Sequence, residues 1–320
     1  MILTYIDHND EKIKKASFEA ATYAKKLADQ LGTEVHAVVL GNVKDIENLG
    51  NYGITKVYHV TDPRFNHFDA KPITKAIGEI ATKIGAKIIT LSFNQNGKAI
   101  GPRLSIRLKA GMIPGANTVA TTDGGFKAKK LVFSGKAIAE YEILTDIKIV
   151  SIAPNTLPPN NIGGTCSVEQ VTVNINEADF AIKVRNIELV KGEIPLSEAA
   201  LVVSAGRGMK GPENWGIIEE LAKILGAATA CSRPVADVHW RPHHEHVGQT
   251  GLAISPNLYI AIGISGAIQH LAGVSSSKTI VVINTDSEAP FFKVADYGVI
   301  GDALEVVPRL TEALRKYKAS

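Results

Sequence analysis

Two short loops rich in glycine and hydrogen-bonding side chains lie on either side of an apolar stretch within residues 247–270. The first loop is GQTG at 248–251, and the second is SGA at 265–267. Glycine lets a backbone approach a ligand closely, and hydroxyl and N–H groups donate hydrogen bonds to anionic oxygens. Residues 267–272 predict a helix whose positive end faces Ser265. The pattern therefore predicts a site for an anionic group such as a phosphate.

Four polar side chains follow the carboxyl ends of predicted strands: Arg207, Ser232, Ser265 and Asn284. In an open α/β sheet this edge is where ligands bind. We therefore expect the four side chains to converge on one edge of a sheet, where the two loops supply donors for a pyrophosphate and for an aromatic head group.

A glycine pattern precedes the predicted helix at 213–225. Gly206, Gly208 and Gly211 match G-x-G-x-x-G after a predicted strand at 200–204, as in dinucleotide-binding folds. An NAD site would need an acidic residue near 229–233, and that segment has none. An NADP-dependent oxidoreductase that uses this loop and Arg233 therefore remains an alternative.

Residues 234–246, PVADVHWRPHHEH, contain four histidines and Glu245. Histidines at such spacing can chelate zinc or nickel. A solvated loop interrupted by prolines is the alternative that we favour, so we predict no metal site.

The elements that must position these residues alternate between strand and helix. The spacing predicts strands at 2–6, 35–40, 57–60 and 87–91 and helices at 11–31 and 73–84, which favours a parallel sheet covered by helices. The polar loop at 92–97 precedes a predicted helix at 102–109. It could hold a nucleotide, or it could be an ordinary connection in a domain that only docks a partner, which we favour.

A run of predicted strands followed by a polar segment marks the end of the first domain. Strands are predicted at 131–134, 137–144, 147–152, 171–175 and 181–190, and the polar segment KGEIPL at 191–196 follows them. We place an N-terminal α/β domain at 1–190 and a ligand-binding domain at 191–320. The latter has further predicted strands at 258–263 and 278–284, an irregular segment at 291–302 and a closing helix at 306–318. The predicted fold is α/β with two domains, each with a mostly parallel sheet covered by helices, and the C-terminal domain is Rossmann-like.

The composition is typical of a globular protein, and it excludes several classes of partner. The 320 residues are 45% hydrophobic and 21% charged with a net charge of +3, and no basic run interleaved with aromatics predicts nucleic-acid binding. Cys166 and Cys231 fit no CxxC or zinc spacing, which indicates buried thiols in a reducing compartment. No leader and no apolar run of about 20 residues is present, so we expect a cytoplasmic bacterial protein without membrane insertion.

A longer stretch of the sequence resembles a known family. Residues 258–284, LYIAIGISGAIQHLAGVSSSKTIVVIN, together with SAGRG, VGQTG, VADYG and DALEVVP, resemble the FAD domain of the electron-transfer flavoprotein alpha subunit. The first domain resembles the family more loosely, in its β-α-β start and in residues 133–138. The resemblance implies an electron carrier without substrate turnover of its own and with FAD as cofactor. It also implies a heterodimer in which residues 1–190 dock a beta subunit, which completes the flavin site and often carries AMP. Electrons would pass from dehydrogenases, typically the acyl-CoA dehydrogenases of fatty acid β-oxidation, to a quinone oxidoreductase.

The resemblance also implies a role for individual residues. Thr250 would donate toward flavin N5, His270 would lie at the flavin C2 carbonyl and Arg233 over the ring. The adenosine end would be held by Asn284, Asp302 and Ala303, and the ribityl-pyrophosphate by Arg207, Ser232, Gln249, Ser265, Gly266 and Ala267. The whole implied cofactor-binding set is Arg207, Ser232, Arg233, Val247, Gly248, Gln249, Thr250, Gly251, Ser265, Gly266, Ala267, Ile268, Gln269, His270, Asn284, Asp302 and Ala303. A nucleotide-binding subunit without a redox role is a further alternative.

Overall fold

The computed structural model describes residues 1–9, 11–133, 135–187 and 194–319. The chain divides into two compact units, one of Met1–Val132 with Ile138–Leu189 and one of Phe133–Ala137 with Val190–Ser320. The predicted α/β class with largely parallel sheets is confirmed. The predicted domain boundary after residue 190 lies outside the described residues. None of the helices in the described ranges is both long and apolar enough to cross a membrane.

The first unit alternates strands and helices along most of its length. Its strands and helices are β1 (Ile2–Ile6), β2 (His8–Asn9), β3 (Lys12–Ile13), α1 (Lys15–Leu31), β4 (Val35–Leu40), β5 (Lys56–Val60), α2 (Ala70–Ile84), β6 (Ile88–Ser92), α3 (Gln95–Leu108), β7 (Gly111–Ala116), β8 (Phe126–Val132), β9 (Ala137–Ile143), β10 (Lys148–Ile152) and β11 (Ser167–Gln170). Short 3₁₀ helices occur at Ile46–Tyr52, Pro63–Asn66 and Glu177–Asp179.

The strands of the first unit form a nine-stranded sheet in the described part of the chain, in the order β11-β5-β4-β1-β6-β10-β7-β8-β9, apart from the small β2-β3 hairpin. The strands from β11 to β7 are parallel, and β8 runs antiparallel to β7. All five residues of β1 are buried, because helices cover both faces of a parallel sheet. The alanine-rich face of α1 packs into one core, and the isoleucines of α2 pack into another.

Four predictions for the first unit differ from the structure. Helix α3 begins at Gln95 and not at residue 102, because the Asn94 side chain caps it by accepting a hydrogen bond from the backbone N–H of Gly97 at 2.9 Å. Helix α1 begins at Lys15, since part of the predicted first turn forms the β2-β3 hairpin. Residues 171–175 form no strand. Their alternating Val171, Val173 and Ile175 side chains pack on the core while most of the backbone lies beyond the end of the strand ladder. Residues 181–187 also form no strand, and 188–190 lie outside the described residues.

The second unit contains β12 (Leu201–Ala205), α4 (Gly216–Leu225), β13 (Ala228–Cys231), α5 (Arg233–Asp237), β14 (Leu258–Ile262), α6 (Ile268–Val274), β15 (Thr279–Asn284), β16 (Tyr297–Ile300) and α7 (Ala303–Ala319). Short 3₁₀ helices occur at Arg207–Met209, Pro212–Asn214, His243–Glu245 and Pro290–Lys293. The strand β16 lies within the segment that was predicted to be irregular, and all four of its residues are exposed.

The sheet of the second unit is wholly parallel over its described strands, in the order β13-β12-β14-β15-β16. Counted along the chain this order is 2-1-3-4-5, which is the flavodoxin-like doubly wound order. The six-stranded Rossmann fold has the order 3-2-1-4-5-6 instead. In this order β13 lies on one side of β12 and β14 on the other, so the strand order reverses between β12 and β14. Ligands bind at the carboxyl ends of the strands at such a point.

Candidate functional site

A cavity of about 550 Å³ opens at the carboxyl edge of the second sheet. Residues that follow four neighbouring strands line it: Arg207 and Gly208 after β12, Ser232, Arg233 and Pro234 after β13, Gly263, Ile264 and Ser265 after β14, and Asn284 and Asp286 at the end of β15. Because parallel strands end at the same edge, the cavity includes the reversal point between β12 and β14.

Glycine backbones meet at the reversal point. A Cβ atom on Gly208 would lie 2.6 Å from the Cα atom of Gly263, and one on Gly206 would lie 2.4 Å from the Gly263 carbonyl oxygen. The backbone N–H of Gly208 donates to that same oxygen at 3.0 Å. The glycine pattern at 206–211 therefore allows two loops to touch. The next α-helix, α4, begins only at Gly216, after two short 3₁₀ helices. This arrangement differs from the dinucleotide-binding turn, in which the glycine loop leads directly into an α-helix.

The loop at 248–251 is attached to α6 by backbone contacts. The backbone N–H of Gln249 donates to the carbonyl oxygen of Gln269 at 2.7 Å. A Cβ atom on Gly273 would lie 2.5 Å from the Cα atom of Gly248, whose φ angle is +151°. Gly248 and Gly273 therefore let loop and helix pack closely, which turns the exposed Gln249 and Thr250 side chains into part of the cavity wall.

Several polar side chains of the cavity wall have no partner of their own. Five of them are exposed and make no hydrogen bond or ion pair with any residue that the structure describes: Arg207, Gln249, Thr250, Ser265 and Gln269. In contrast, Nε of Arg233 lies 3.3 Å from the Asp237 carboxylate one helical turn away. The wall thus offers a free guanidinium, hydroxyls and amides, which are suitable donors for phosphate oxygens.

His270 is one of three buried polar side chains in the described cavity wall, with Ser232 and His246. It is 7% exposed, and its Nε2 atom lies 2.7 Å from the phenol oxygen of Tyr259. Its Nδ1 atom is buried and has no hydrogen-bond partner among the described residues. Burial first, and the nearby His246 second, lower the pKa of His270 from its usual 6.5 to about 4. The imidazole is therefore neutral at pH 7 and has one unsatisfied nitrogen.

The remaining predicted residues divide into those inside and those outside the cavity. Ser232, Val247, Gly248, Ala267 and Asn284 line it. The Asn284 amide also braces the site, since it donates to the Ile264 carbonyl at 3.1 Å and accepts from the Asp286 N–H at 3.1 Å. Five residues do not line the cavity as the structure describes it: Gly251, Gly266, Ile268, Asp302 and Ala303.

Two of the outlying residues have structural roles of their own. Asp302 caps α7 by accepting from the backbone N–H of Leu304 at 2.9 Å, and it forms an ion pair with Lys210 at 2.9 Å. Gly266 has a φ angle of +86° and packs against the backbone of Phe291. The Phe291 backbone and the left-handed conformation therefore already require a glycine at position 266, and the phosphate contact stays a prediction.

Six residues of the cavity wall were absent from the predicted set: Gly208, Pro234, His246, Gly263, Ile264 and Asp286. His246 enters because the chain runs beside β13, where the backbone N–H of Val247 donates to the Cys231 carbonyl at 3.1 Å. Its position just before VGQTG was the available signal.

The histidine-rich loop is held by an ion pair. Glu245 is 1% exposed, and Nε of Arg241 donates to its carboxylate at 2.9 Å. Within the described ranges no group of three or more His, Cys, Asp or Glu side chains could hold a metal ion. A second cavity of about 600 Å³, beside the edge strand β13, is lined by this pair. Because its main charges already neutralise each other, we place the candidate site in the first cavity.

The first unit has a polar cluster at the carboxyl edge of its own sheet. The Asp7 carboxylate follows β1 and is 4% exposed. It accepts from Lys14 Nζ at 2.9 Å, from Asn94 Nδ2 at 2.8 Å and from Asn96 Nδ2 at 3.0 Å. An anionic group of the chain itself thus occupies the donors of the loop after β6, which favours the interpretation of that loop as an ordinary connection.

The residues of the first cavity fit a flavin dinucleotide. Free hydroxyl, amide and guanidinium donors suit a pyrophosphate. The Nδ1 atom of His270 has no hydrogen-bond partner among the described residues, and a carbonyl of the flavin ring could be that partner. The apolar atoms of Val247, Ile264 and Pro234 provide surface for a flat ring.

Comparison with known proteins gives an independent result. The model of the electron transfer flavoprotein domain matches residues 2–178, and that of the electron transfer flavoprotein FAD-binding domain matches residues 195–275. The electron transfer flavoprotein subunit alpha of Syntrophomonas wolfei is 37% identical over 317 residues, which cover 98% of each chain. The subunit alpha of Bacillus subtilis is 37% identical over 319 residues, which cover 96% of this chain and 95% of the relative. The resemblance seen in the sequence is thereby confirmed, and the chain belongs to the family of electron transfer flavoprotein alpha subunits.

Proposed function

We propose that the chain binds FAD in the cavity of its second unit and carries electrons as the alpha subunit of a heterodimer. The observation that carries this proposal is the buried, unpartnered Nδ1 of His270 at a cavity where other polar side chains also lack partners. An unsatisfied buried polar atom is costly to a folded protein, so its presence at a ligand cavity favours a ligand that satisfies it.

FAD supplies redox chemistry when it is bound, and the side chains of the cavity hold and tune it. Arg207, Ser232, Gln249 and Ser265, with the backbone around Gly266 and Ala267, bind the ribityl-pyrophosphate through guanidinium, hydroxyl, amide and N–H donors. The backbone of Val247, Gly248 and Gly251 shapes the first loop, and Ile268 and Gln269 form the start of α6.

Three side chains act on the flavin ring. With FAD bound, His270 would donate to the C2 carbonyl, Thr250 would donate toward N5 and Arg233 would lie over the ring. Each would stabilise a reduced, anionic ring more than an oxidised one, because negative charge would develop near the donors and near the positive charge. Asp237 partly offsets the charge of Arg233, with which it is paired.

The adenosine end is assigned to Asn284, Asp302 and Ala303. Asn284 lines the cavity, which supports its role. The assignment of Asp302 and Ala303, at the start of α7, depends on the family resemblance alone.

The proposed partners follow from the family. Residues 1–190 form a domain that docks a beta subunit, and that subunit completes the flavin site and carries AMP. Dehydrogenases, typically acyl-CoA dehydrogenases of fatty acid β-oxidation, donate electrons, and a quinone oxidoreductase accepts them. The complex works in the bacterial cytoplasm and turns over no substrate of its own.

Two alternatives have less support. An NADP-dependent oxidoreductase would use the loop at Gly206 as a dinucleotide turn, but Gly206 and Gly208 pack against Gly263. A nucleotide-binding subunit without a redox role would not need donors directed at a flavin ring.

Coexpression with a candidate beta subunit tests the proposal. We expect a yellow complex that releases FAD on denaturation, identified by its absorbance bands and by mass. His270→Gln is the test variant for the ring contact, and His243→Gln, on the exposed loop, is the control. Release of FMN alone, release of NADP, or no flavin under saturating supply contradicts the proposal.

A further inference from the structure

Tyr259 is the one hydrogen-bonding partner of the His270 side chain among the described residues. Tyr259 lies in β14, is fully buried, and brings its phenol oxygen to 2.7 Å from Nε2 of His270. The Phe291 ring stacks on Tyr259 at 17° and meets His270 edge-on at 64°. The three packed rings therefore fix the direction in which each imidazole nitrogen points.

Either the phenol or the neutral imidazole can be the donor in the hydrogen bond between them. If the phenol donates to Nε2, the imidazole hydrogen is on Nδ1, and Nδ1–H is the only group of the pair without a partner. If Nε2–H donates to the phenol instead, both the phenol hydrogen and the bare Nδ1 need partners. Ser204 lies near the phenol, but its buried Oγ is outside hydrogen-bonding geometry with every described residue, so the phenol hydrogen would have no acceptor in this second arrangement. The first arrangement therefore leaves fewer groups of the pair unsatisfied, and it is the more stable.

We infer that Tyr259 is a positioning residue that holds His270 in the tautomer with hydrogen on Nδ1, so that Nδ1–H is ready to donate to an electron-rich carbonyl. This inference rests on the proposed flavin function for the identity of the acceptor. The tautomer itself depends only on residues of this chain, and it can be measured without any cofactor.

Nitrogen NMR of the full chain labelled with [15N]histidine measures the tautomer directly. Spectra are recorded at pH 7.5, with and without FAD, and His270 is identified by the signals that disappear in His270→Gln. In the parent chain we expect a protonated Nδ1 and an unprotonated Nε2. In Tyr259→Phe, which keeps the stacked ring but loses the hydroxyl, the two nitrogen shifts should approach each other. Ser204→Ala and Tyr297→Phe are the controls, and both should leave the shifts unchanged.

A second measurement connects the tautomer to the cofactor. With FAD bound, Tyr259→Phe should lower the first reduction potential of the flavin, whereas Ser204→Ala should not. A protonated Nε2 in the parent chain, unchanged nitrogen shifts in Tyr259→Phe, or an unchanged potential in that variant overturns the inference. A chain that binds no FAD yet shows the expected shifts supports the tautomer assignment and contradicts the proposed function.

Discussion

The backbone nitrogen of Phe291 lies where a side chain on Gly266 would have to begin. A Cβ atom on Gly266 would be 2.6 Å from this nitrogen and 2.8 Å from the Phe291 Cα atom. The same nitrogen donates to the carbonyl oxygen of Ser265 at 3.1 Å. The loop after β14 is thus fixed against the residue whose ring packs on Tyr259 and His270.

Replacing Gly266 with valine should therefore abolish FAD binding while the first unit stays folded. The new side chain must displace Phe291, and the left-handed backbone at φ +86° adds about 1–2 kcal/mol of strain. Flavin occupancy after gel filtration and urea unfolding of the full chain measure the two effects.

Gly226→Ala separates strain from packing. Gly226 has a φ angle of +70°, and nothing lies within 4 Å of the position of its Cβ. The control should lose only about 1–2 kcal/mol and keep its flavin. Full occupancy in Gly266→Val would show that the loop can move away from Phe291.

The buried His270 should make the FAD-free chain sensitive to acid. Its pKa in the folded state is about 4 against 6.5 when exposed, so between these values the unfolded chain binds a proton that the folded chain refuses. The stabilisation is complete above pH 6.5 and is lost as the pH falls toward 4. The difference corresponds to roughly 3 kcal/mol in the free energy of unfolding.

Urea unfolding of the FAD-free chain at pH 7, 6, 5 and 4.5 measures this sensitivity. His270→Gln should lose less stability over this range than the parent chain, and the exposed His243→Gln should behave like the parent. Identical pH profiles for the parent and His270→Gln would mean that position 270 is not the group that titrates.

The flavin potential should respond differently to each residue at the ring. A difference of 1.4 kcal/mol between redox states is worth about 59 mV for a one-electron step. His270→Ala and Arg233→Ala should lower the first reduction potential by tens of millivolts. A shift of this size corresponds to about half, or less, of the free energy of a charge-assisted hydrogen bond. Thr250→Ala should change the potential less, because N5 can accept a hydrogen bond from this hydroxyl in the oxidised ring too, whereas negative charge develops at the C2 carbonyl on reduction. Spectroelectrochemical titration of the FAD-loaded complexes measures all three.

Asp237→Asn is the matched variant for Arg233. It removes the carboxylate at 3.3 Å and should raise the potential by a smaller amount, because both side chains are more than half exposed and solvent screens them. If neither Arg233→Ala nor Asp237→Asn shifts the potential, the ring does not lie where the family resemblance implies.

The histidine-rich loop should depend on its ion pair and not on a metal. Glu245→Ala leaves the guanidinium of Arg241 without its buried partner and should cost about 3–5 kcal/mol. Glu219→Ala removes only the half-exposed partner of the same guanidinium and should cost under about 1 kcal/mol. Dialysis against a chelator should leave the melting temperature unchanged. Stoichiometric zinc that survives dialysis, with loss of stability on its removal, would overturn this prediction.

The sequence predicted those parts of the fold whose side chains have a clear period. The alanine face of α1 and the fully apolar β1 are examples, because burial there repeats at helical or strand spacing. The strand β16 was missed, since all its residues are exposed and no alternation marks it. Residues 171–175 show the opposite error, because their period of two records packing on the core and not pairing with a neighbour.

At the site, the sequence indicated the polar residues that follow strands, since parallel strands bring their carboxyl ends together. It could not indicate Gly263 or Asp286, whose place depends on how one loop rests on the next. Nor could it reveal that Gly266 is required by Phe291, a contact between residues distant in sequence.

We expect two parts of the site, the central strand β14 and the loop with Gln249 and Thr250, to move at very different rates. The strand β14 is hydrogen-bonded to β12 on one side and to β15 on the other, and it carries Tyr259. The loop with Gln249 and Thr250 is exposed and should open locally far more often than the strand does. Amide hydrogen exchange in β14 should accordingly be the slowest of the unit, and that of the loop among the fastest. We therefore expect a bound cofactor to leave through opening of this loop while Tyr259 and His270 stay packed, so that its residence time and the global stability of the unit vary independently.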